Sequence, residues 1–247
     1  MFETAGLNEL YKEHRKTIDK VNAVQDALSA RFYKMDDAIE CLMIAAMSGE
    51  AMVMMGPPGT AKSRLMRAFC NLLGLISDDT MNGGDDAKTN DKDEESDKDE
   101  DNPYFEYLLT QFTEPSELFG FYDLSQLEEK GLVRVTKNMM QKAQVVFLDE
   151  VFNASSAILN SLLTFMNERK FHDRGEVIPT PLRLLVSATN HPPQEETLGA
   201  VYDRFLLRCR VTNVASEAVN QDDIVGLMQA GWQETHAPNL EHATWEG

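Results

Sequence analysis

The chain has 247 residues, 43% of them hydrophobic, with 23 Lys and Arg against 41 Asp and Glu and a formal net charge of −18. That size and apolar content suit one α/β domain of roughly 200 residues with extras, and no apolar run reaches the ~18–20 residues of a membrane helix. So acidic a balance argues against a general nucleic-acid binder, because neutralising phosphates needs clustered Lys and Arg.

The opening MFETAGLNELYKEHRK carries charge early and has no apolar signal-peptide core. Residues 7–49 read as helical: Ile18, Val21, Val24, Leu28 and Phe32 recur at three- and four-residue steps, as do Ile39, Leu42, Ile44 and Ala45. The short apolar run 51–55 ends on Gly56 and suits a buried parallel strand, with a helix over 62–73 ending near Gly74. Composition then changes. Residues 77–102 hold twelve Asp and Glu against three Lys, half of the chain's net charge, and one sizeable apolar side chain, Met81. Such a segment buries too little surface to offset the entropy of ordering, so a disordered acidic loop is expected. It lacks the central glycine and terminal glutamate of a twelve-residue calcium loop.

Order resumes with a strand at 104–109, and further strands are expected at 132–135, 144–149, 182–188 and 206–211. An amphipathic helix over 155–169 turns Ile158, Leu159, Leu162, Leu163, Phe165 and Met166 inward. Strands alternating with helices imply a largely parallel sheet covered on both faces. Cys41, Cys70 and Cys209 lie far apart in apolar stretches, as buried free thiols of a reducing, cytoplasmic setting would. The five histidines, His14, His172, His191, His236 and His242, have no ligand spacing, so no structural zinc site is expected.

Four motifs carry chemistry. Gly56-Pro57-Pro58-Gly59-Thr60-Ala61-Lys62-Ser63 follows a strand and opens a helix. In that arrangement backbone N–H groups cradle phosphates, the lysine reaches the β/γ oxygens and the serine hydroxyl ligates magnesium, so ATP with Mg2+ is the expected ligand. Arg64 and Leu65 extend the expected nucleotide contact. Glycine usually precedes the lysine; Ala61 is tolerable there if the position is already helical. Second, the apolar run 145–148 delivers Asp149 and Glu150 at a strand's C-terminal end, 87 residues after Lys62. Asp149 is the expected magnesium ligand and Glu150 the group that polarises the attacking water. Third, Asn190 ends the strand-like LLVSAT, where an amide would help orient that water; as an isolated residue it would be a turn-former before His191-Pro192-Pro193. Fourth, Arg204 in Asp203-Arg204-Phe205 is a candidate for completing transition-state charge from a neighbouring subunit. The alternative is a surface arginine paired with Asp203, with Arg208 and Arg210 as nearby competitors.

Together GPPGTAKSRLMRAF, YFEYLLTQFTEPSELFG, VVFLDEVFNASSAILNSLLTFMNERKF, PLRLLVSATN and VYDRFLLR resemble the MoxR group of AAA+ ATPases, specifically its RavA branch. The resemblance implies a P-loop NTPase core over 32–212, preceded by a helical segment 1–31 and interrupted by the acidic insertion 77–102. It makes Lys62 and Ser63 the phosphate and magnesium contacts, Asp149-Glu150 the Walker B pair, Asn190 sensor 1 and Arg204 an arginine finger acting in trans. Tyr33 matches a position bordering the nucleotide base in the RavA branch; by composition alone it would be a core aromatic. Residues 113–120 resemble the group's insertion in the second helical region, and 169–181 its hairpin before the sensor strand. Implied too are a homo-oligomeric ring, usually a hexamer, chaperone-like remodelling and a partner bearing a von Willebrand factor A domain. Residues 213–247 contain no Lys or Arg and are expected to be a tail that begins the linker to a helical lid, the lid itself being absent. Two other readings stay open: a nucleotide-binding scaffold with little hydrolysis, and a DNA-translocating relative whose hairpin would offer Arg169, Lys170, His172 and Arg174.

Overall fold

The computed structural model describes residues 4–77, 101–123, 125, 132–193, 198–212 and 221–236. Most of the acidic insertion and the ends of the C-terminal segment therefore lie outside the described residues, and so does the disorder expected of that insertion. Its last two residues are held: Asp101 accepts from the Asn138 N–H at 3.0 Å, and the Asn102 N–H donates to Asn138 Oδ1 at 2.9 Å.

The helical opening divides into α1 (Thr4–Arg31) and α2 (Asp36–Ser48). Lys34, at φ 56°, turns the chain between them, and α2 stops at Gly49 with φ 71° and its N–H on Ala45 O. Strand β1 (Met52–Met55) runs into the glycine loop and α3 (Lys62–Leu72). Next come β2 (Tyr104–Leu108), the short α4 (Pro115–Phe119) and a small antiparallel pair, β3 (Tyr122–Asp123) with β4 (Val133–Arg134). The acidic run into α4 makes a capping box, in which Glu117 accepts from the Glu114 N–H at 2.7 Å. After β5 (Val145–Asp149) and α5 (Ser156–Glu168), the hairpin expected at 169–181 is β6 (Lys170–Asp173) with β7 (Glu176–Pro179). Strand β8 (Leu184–Thr189), the single turn α6 (Gly199–Tyr202) and β9 (Leu207–Arg210) complete the core.

Five strands form one sheet in the order β2-β5-β8-β1-β9, every neighbouring pair parallel. Consecutive residues of each strand feed opposite faces, as the two-residue period requires. Met52 and Met54, Val145 and Phe147, and Leu184, Val186 and Ala188 pack with α1, α2 and α3. Val53, Val146, Leu148 and Leu185 pack on the other side with Ile158, Leu162 and Phe165 of α5. Both faces are covered, so the central strands read as unbroken apolar runs. This is the α/β P-loop NTPase core.

The C-terminal segment departs from the expected tail. Residues Gln221–His236 form a helix, α7, which packs against α1. Its interior holds Gly226 and Gly231, and Ile224, Val225, Leu227, Met228 and Trp232 stay exposed. No core-facing apolar stripe announces it, which is why the sequence reads as a tail and linker rather than as a packed helix. Among the described residues, no helix is long and apolar enough to cross a membrane. All three cysteines are free thiols. Burial pushes Cys70 far up, and pushes Cys209 up to about 11.

Candidate active site

Parallel pairing gathers the motifs at one edge. Met55 pairs with Thr189 across β1 and β8, and Leu148 with Ser187 across β5 and β8. Strand β8 thus lies between the strand that enters the glycine loop and the one that delivers the carboxylates, and Asn190 emerges between them. The Gly56 N–H continues the ladder onto Thr189 O at 3.0 Å. A side chain at Gly56 would overlap the Val211 carbonyl, so only glycine lets the strand leave the sheet there.

Within the loop, Gly59 has φ 78° and open space around it. Ala61 is not helical, contrary to the condition the sequence reading set for it. It caps α3 in the left-handed region, φ 58° and ψ 23°, a conformation that costs a side-chain-bearing residue about 1–2 kcal/mol. The loop keeps its shape with a methyl group where glycine would sit unstrained. Lys62, 6% exposed, lays Nζ on Gly56 O at 2.6 Å and Pro57 O at 3.0 Å, with Thr60 Oγ1 at 3.4 Å. Burial lowers its ammonium from the ordinary lysine range, although Asp149 and Glu150 pull the other way.

Facing the loop, Asp149 Oδ1 accepts from the Glu150 N–H at 3.0 Å. Glu150 has φ 55°, a left-handed conformation that turns its side chain back over the sheet edge. The Asn190 amide donates to Glu150 Oε1, and Asn153 Nδ2 reaches Oε2 at 3.3 Å. Pro58 to Arg64, Arg67, Asp149, Glu150 and Asn190 line a single cleft of about 480 Å³. Leu65 is wholly buried beneath it in the core. The sequence reading did not single out Asn153 or Arg67. Asn153 was signalled only by its place three residues after Glu150. Arg67 pairs in bidentate fashion with Glu106, Nε to Oε2 at 2.8 Å and Nη2 to Oε1 at 3.0 Å, and Tyr104 Oη donates to the same carboxylate at 2.9 Å. That cluster ties β2 to the second turn of α3.

Ser63 and Asp149 in one cleft are hard oxygen donors, the set magnesium takes. Among the described residues no group of three or more His, Cys, Asp or Glu could hold a metal by itself. The two donors therefore fit an ion that brings phosphate oxygens and waters with it, rather than one caged by protein alone.

Tyr33 lies outside this cleft but beside it. With Phe32, Thr212 and Gly231 it lines a pocket of about 210 Å³ that shares Gly59, Thr60, Ala61 and Arg64 with the phosphate loop. Arg204 is at the other end of the sheet, preceding β9, in a depression with Glu50, Arg169 and Arg183. It is not paired with Asp203, whose ion pair is with Arg208 at 3.3 Å. Arg208 also donates to Phe205 O and Tyr202 O and lies over the Tyr202 ring, so it is held by its own turn. The Arg204 guanidinium makes no hydrogen bond or ion pair among the described residues.

Comparison with known proteins agrees with this geometry. A family model described as the MoxR domain in the MoxR-vWA-beta-propeller ternary systems matches residues 19–78 and 95–246. Two uncharacterized proteins of Methanocaldococcus jannaschii are each 33% identical, over 80% and 78% of this chain and 45% of their own length. A structural protein, ORF618, of Acidianus two-tailed virus is 26% identical over 90% of this chain and 32% of its own length. The chain therefore spans less than half the length of the curated relatives it matches. A crystal structure of a Cytophaga hutchinsonii protein proposed to be an ATPase superposes with a TM-score of 0.61 at 17% identity, covering 96% of this chain and 61% of that one, which speaks to the fold alone. With the family model spanning most of its length and the phosphate loop, paired carboxylates and asparagine meeting in one cleft, the chain belongs to the MoxR family of AAA+ ATPases.

Proposed function

We propose that the chain is the ATP-hydrolysing core of a MoxR-type, chaperone-like remodelling motor of the RavA-like kind, working in the cytoplasm. The observation that carries this is the single cleft joining Lys62, Ser63, Asp149, Glu150 and Asn190. Lys62 would leave the carbonyls of Gly56 and Pro57 for the β/γ oxygens of ATP, while the loop N–H groups and the start of α3 receive the phosphates. Ser63 and Asp149 would hold magnesium, which neutralises charge on those oxygens when bound. Glu150 polarises a water and takes its proton as the water oxygen bonds the γ-phosphorus and the bond to the bridging oxygen of ADP breaks. Asn190 and Asn153 grip the two Glu150 oxygens, fixing where that base points. The matching family model, a MoxR domain of MoxR-vWA-beta-propeller systems, supports a von Willebrand factor A-domain protein as partner, and the working form in this proposal is a homo-oligomeric ring.

Phosphate release from ATP and magnesium tests the reading. Turnover that survives Glu150→Gln unchanged would remove Glu150 from the chemistry. The scaffold reading is kept because both Glu150 oxygens and the Lys62 ammonium are held by protein groups, and a chain that binds ATP with no turnover at any concentration would favour it. The DNA-translocating reading loses support at the hairpin. Arg169 donates to Gly49 O at 2.7 Å, His172 lies 3.5 Å from Glu168 and Arg174 sits over the Tyr122 ring.

A further inference from the structure

Glu150 and Arg204 lie toward opposite ends of the sheet, and one ring joins the turns that carry them. The chain leaves β5 through Glu150, whose φ of 55° starts the single 3-10 turn Val151–Asn153. A left-handed conformation on such a residue persists only where its surroundings fix it. Three contacts do so here. The Asn153 N–H closes the turn on Glu150 O at 2.9 Å, Val151 is wholly buried, and Asn153 Nδ2 holds Glu150 Oε2 at 3.3 Å. Phe152, half-buried between those two residues, packs its ring edge to face on Tyr202 and Phe205, with centroids 5.8 and 6.3 Å away. Tyr202 and Phe205 bracket Arg204 in the sequence.

The bracketed turn is stiff. The Asp203 N–H donates to Gly199 O at 2.8 Å, the Arg204 N–H to Val201 O at 3.1 Å and the Phe205 N–H to Tyr202 O at 3.2 Å. Arg208 ties down the carbonyls of Tyr202 and Phe205, and Phe205 is wholly buried. A shift of the Phe152 ring would therefore move the Arg204 backbone as part of one body instead of being absorbed in a loose loop. Tyr202 supplies a second link, since its Oη donates at 3.7 Å to the sulfur of Met55, the residue before Gly56. It thus touches both the strand that enters the glycine loop and the turn that follows Glu150.

We infer that Phe152 is a positioning residue for Arg204, locking the turn that carries the arginine to the turn that carries the base. The cleft of one copy then sets the arginine offered to the next. The inference rests on the proposed action of Arg204 in trans and deepens it. A ring that only filled space would change stability and leave the efficiency of that arginine alone.

The experiment measures phosphate release in mixtures of full-length chains. Arg204→Ala chains, with an intact cleft, are titrated with Lys62→Ala chains, which lend only their arginine. Phe152→Leu is then added to the lending chain alone, where the cleft is idle and no effect on its own base can register. Phe152→Met serves as a second variant should the first fail to melt cooperatively. The plateau of restored activity is expected to fall about fivefold, while the lender concentration at half rescue moves by less than about twofold. An unchanged plateau, or a change confined to the half-rescue concentration (a report on assembly), overturns the role of Phe152. Lys62→Ala chains that restore nothing even with Phe152 intact overturn the trans action of Arg204, and this inference with it.

Discussion

In the proposed reaction Lys62 and Glu150 would meet different parts of the substrate, so their substitutions should separate binding from chemistry. Lys62→Ala removes the one ammonium positioned for the β/γ oxygens, and ATP affinity should fall by at least about a hundredfold, read by titration. Glu150→Gln is nearly isosteric and keeps a carbonyl oxygen for the Asn190 amide. It should bind ATP within about threefold of the parent while phosphate release drops by at least about a hundredfold. The two outcomes together would assign the roles; a Glu150→Gln chain that no longer binds would make Glu150 structural. Ala61 invites the opposite experiment. Its φ of 58° is easy for glycine and strained for alanine. Part of that relief is offset by the greater freedom glycine gives the unfolded chain, so Ala61→Gly should stabilise the protein by up to about 1 kcal/mol, seen as a raised melting temperature. Lys62 and Ser63 should keep their positions, leaving nucleotide affinity unchanged.

Two small hairpins are joined by one arginine. Arg134 of β4 donates to Gly120 O at 2.6 Å, to Tyr122 Oη at 2.6 Å and to Asp173 Oδ1 of β6 at 3.1 Å, and its guanidinium lies 4.2 Å above the Tyr122 ring. Both charges of the pair are under a fifth exposed, so Arg134→Met should cost about 2 kcal/mol, and a double-mutant cycle with Asp173→Asn should give a coupling of about 1–2 kcal/mol. Burial disfavours the charged Asp173, but the bonds from Arg134 and Tyr122 outweigh it and hold the carboxyl below its ordinary range. A depressed folded-state value means stability present above the unfolded carboxylate range and lost as pH falls through the folded one. Urea midpoints measured between about pH 7 and about pH 3 should thus fall less steeply in Asp173→Asn. Nothing in the sequence pairs Arg134 with Asp173, because the contact joins two separate strand pairs. Legibility elsewhere follows the same logic. Strands β1, β5 and β8 are readable because burial on both faces demands unbroken apolar runs, and each leads into a residue that the proposed chemistry would use: Gly56, Asp149, Asn190. The positive φ of Glu150 and Ala61 is set by turns and the loop, not by side-chain pattern, so the sequence places these residues without their conformation. Tyr33 donates to Asp223 of α7 at 3.0 Å across 190 residues of sequence, and helix α7 carries its apolar groups on the wrong side for a periodicity argument to find it.

Across the whole molecule, the position of Arg204 decides how the site could be completed. The cleft proposed for the nucleotide opens at the C-terminal ends of the parallel strands, and Arg204 precedes β9 at their N-terminal ends. Between Arg204 and Val211, which lies beside Gly56, runs the whole of β9 (Leu207–Arg210), roughly 13 Å of extended backbone. No arginine side chain spans that distance, so Arg204 cannot serve the cleft of its own subunit. Serving any cleft requires a second copy. Leu206, 66% exposed next to it, and a guanidinium unpaired among the described residues leave that end of the sheet open to such a neighbour. Action in trans then has kinetic consequences. Arg204→Ala should bind ATP as the parent does and hydrolyse it at least about tenfold more slowly, since a finger acts on the transition state. Mixing it with Lys62→Ala subunits should restore part of the activity: one copy lends an intact cleft, the other an intact arginine. Specific activity of the parent should also rise with protein concentration as copies associate. A specific activity that stays flat over about a hundredfold dilution, together with no rescue in the mixture, would return Arg204 to the status of a surface residue.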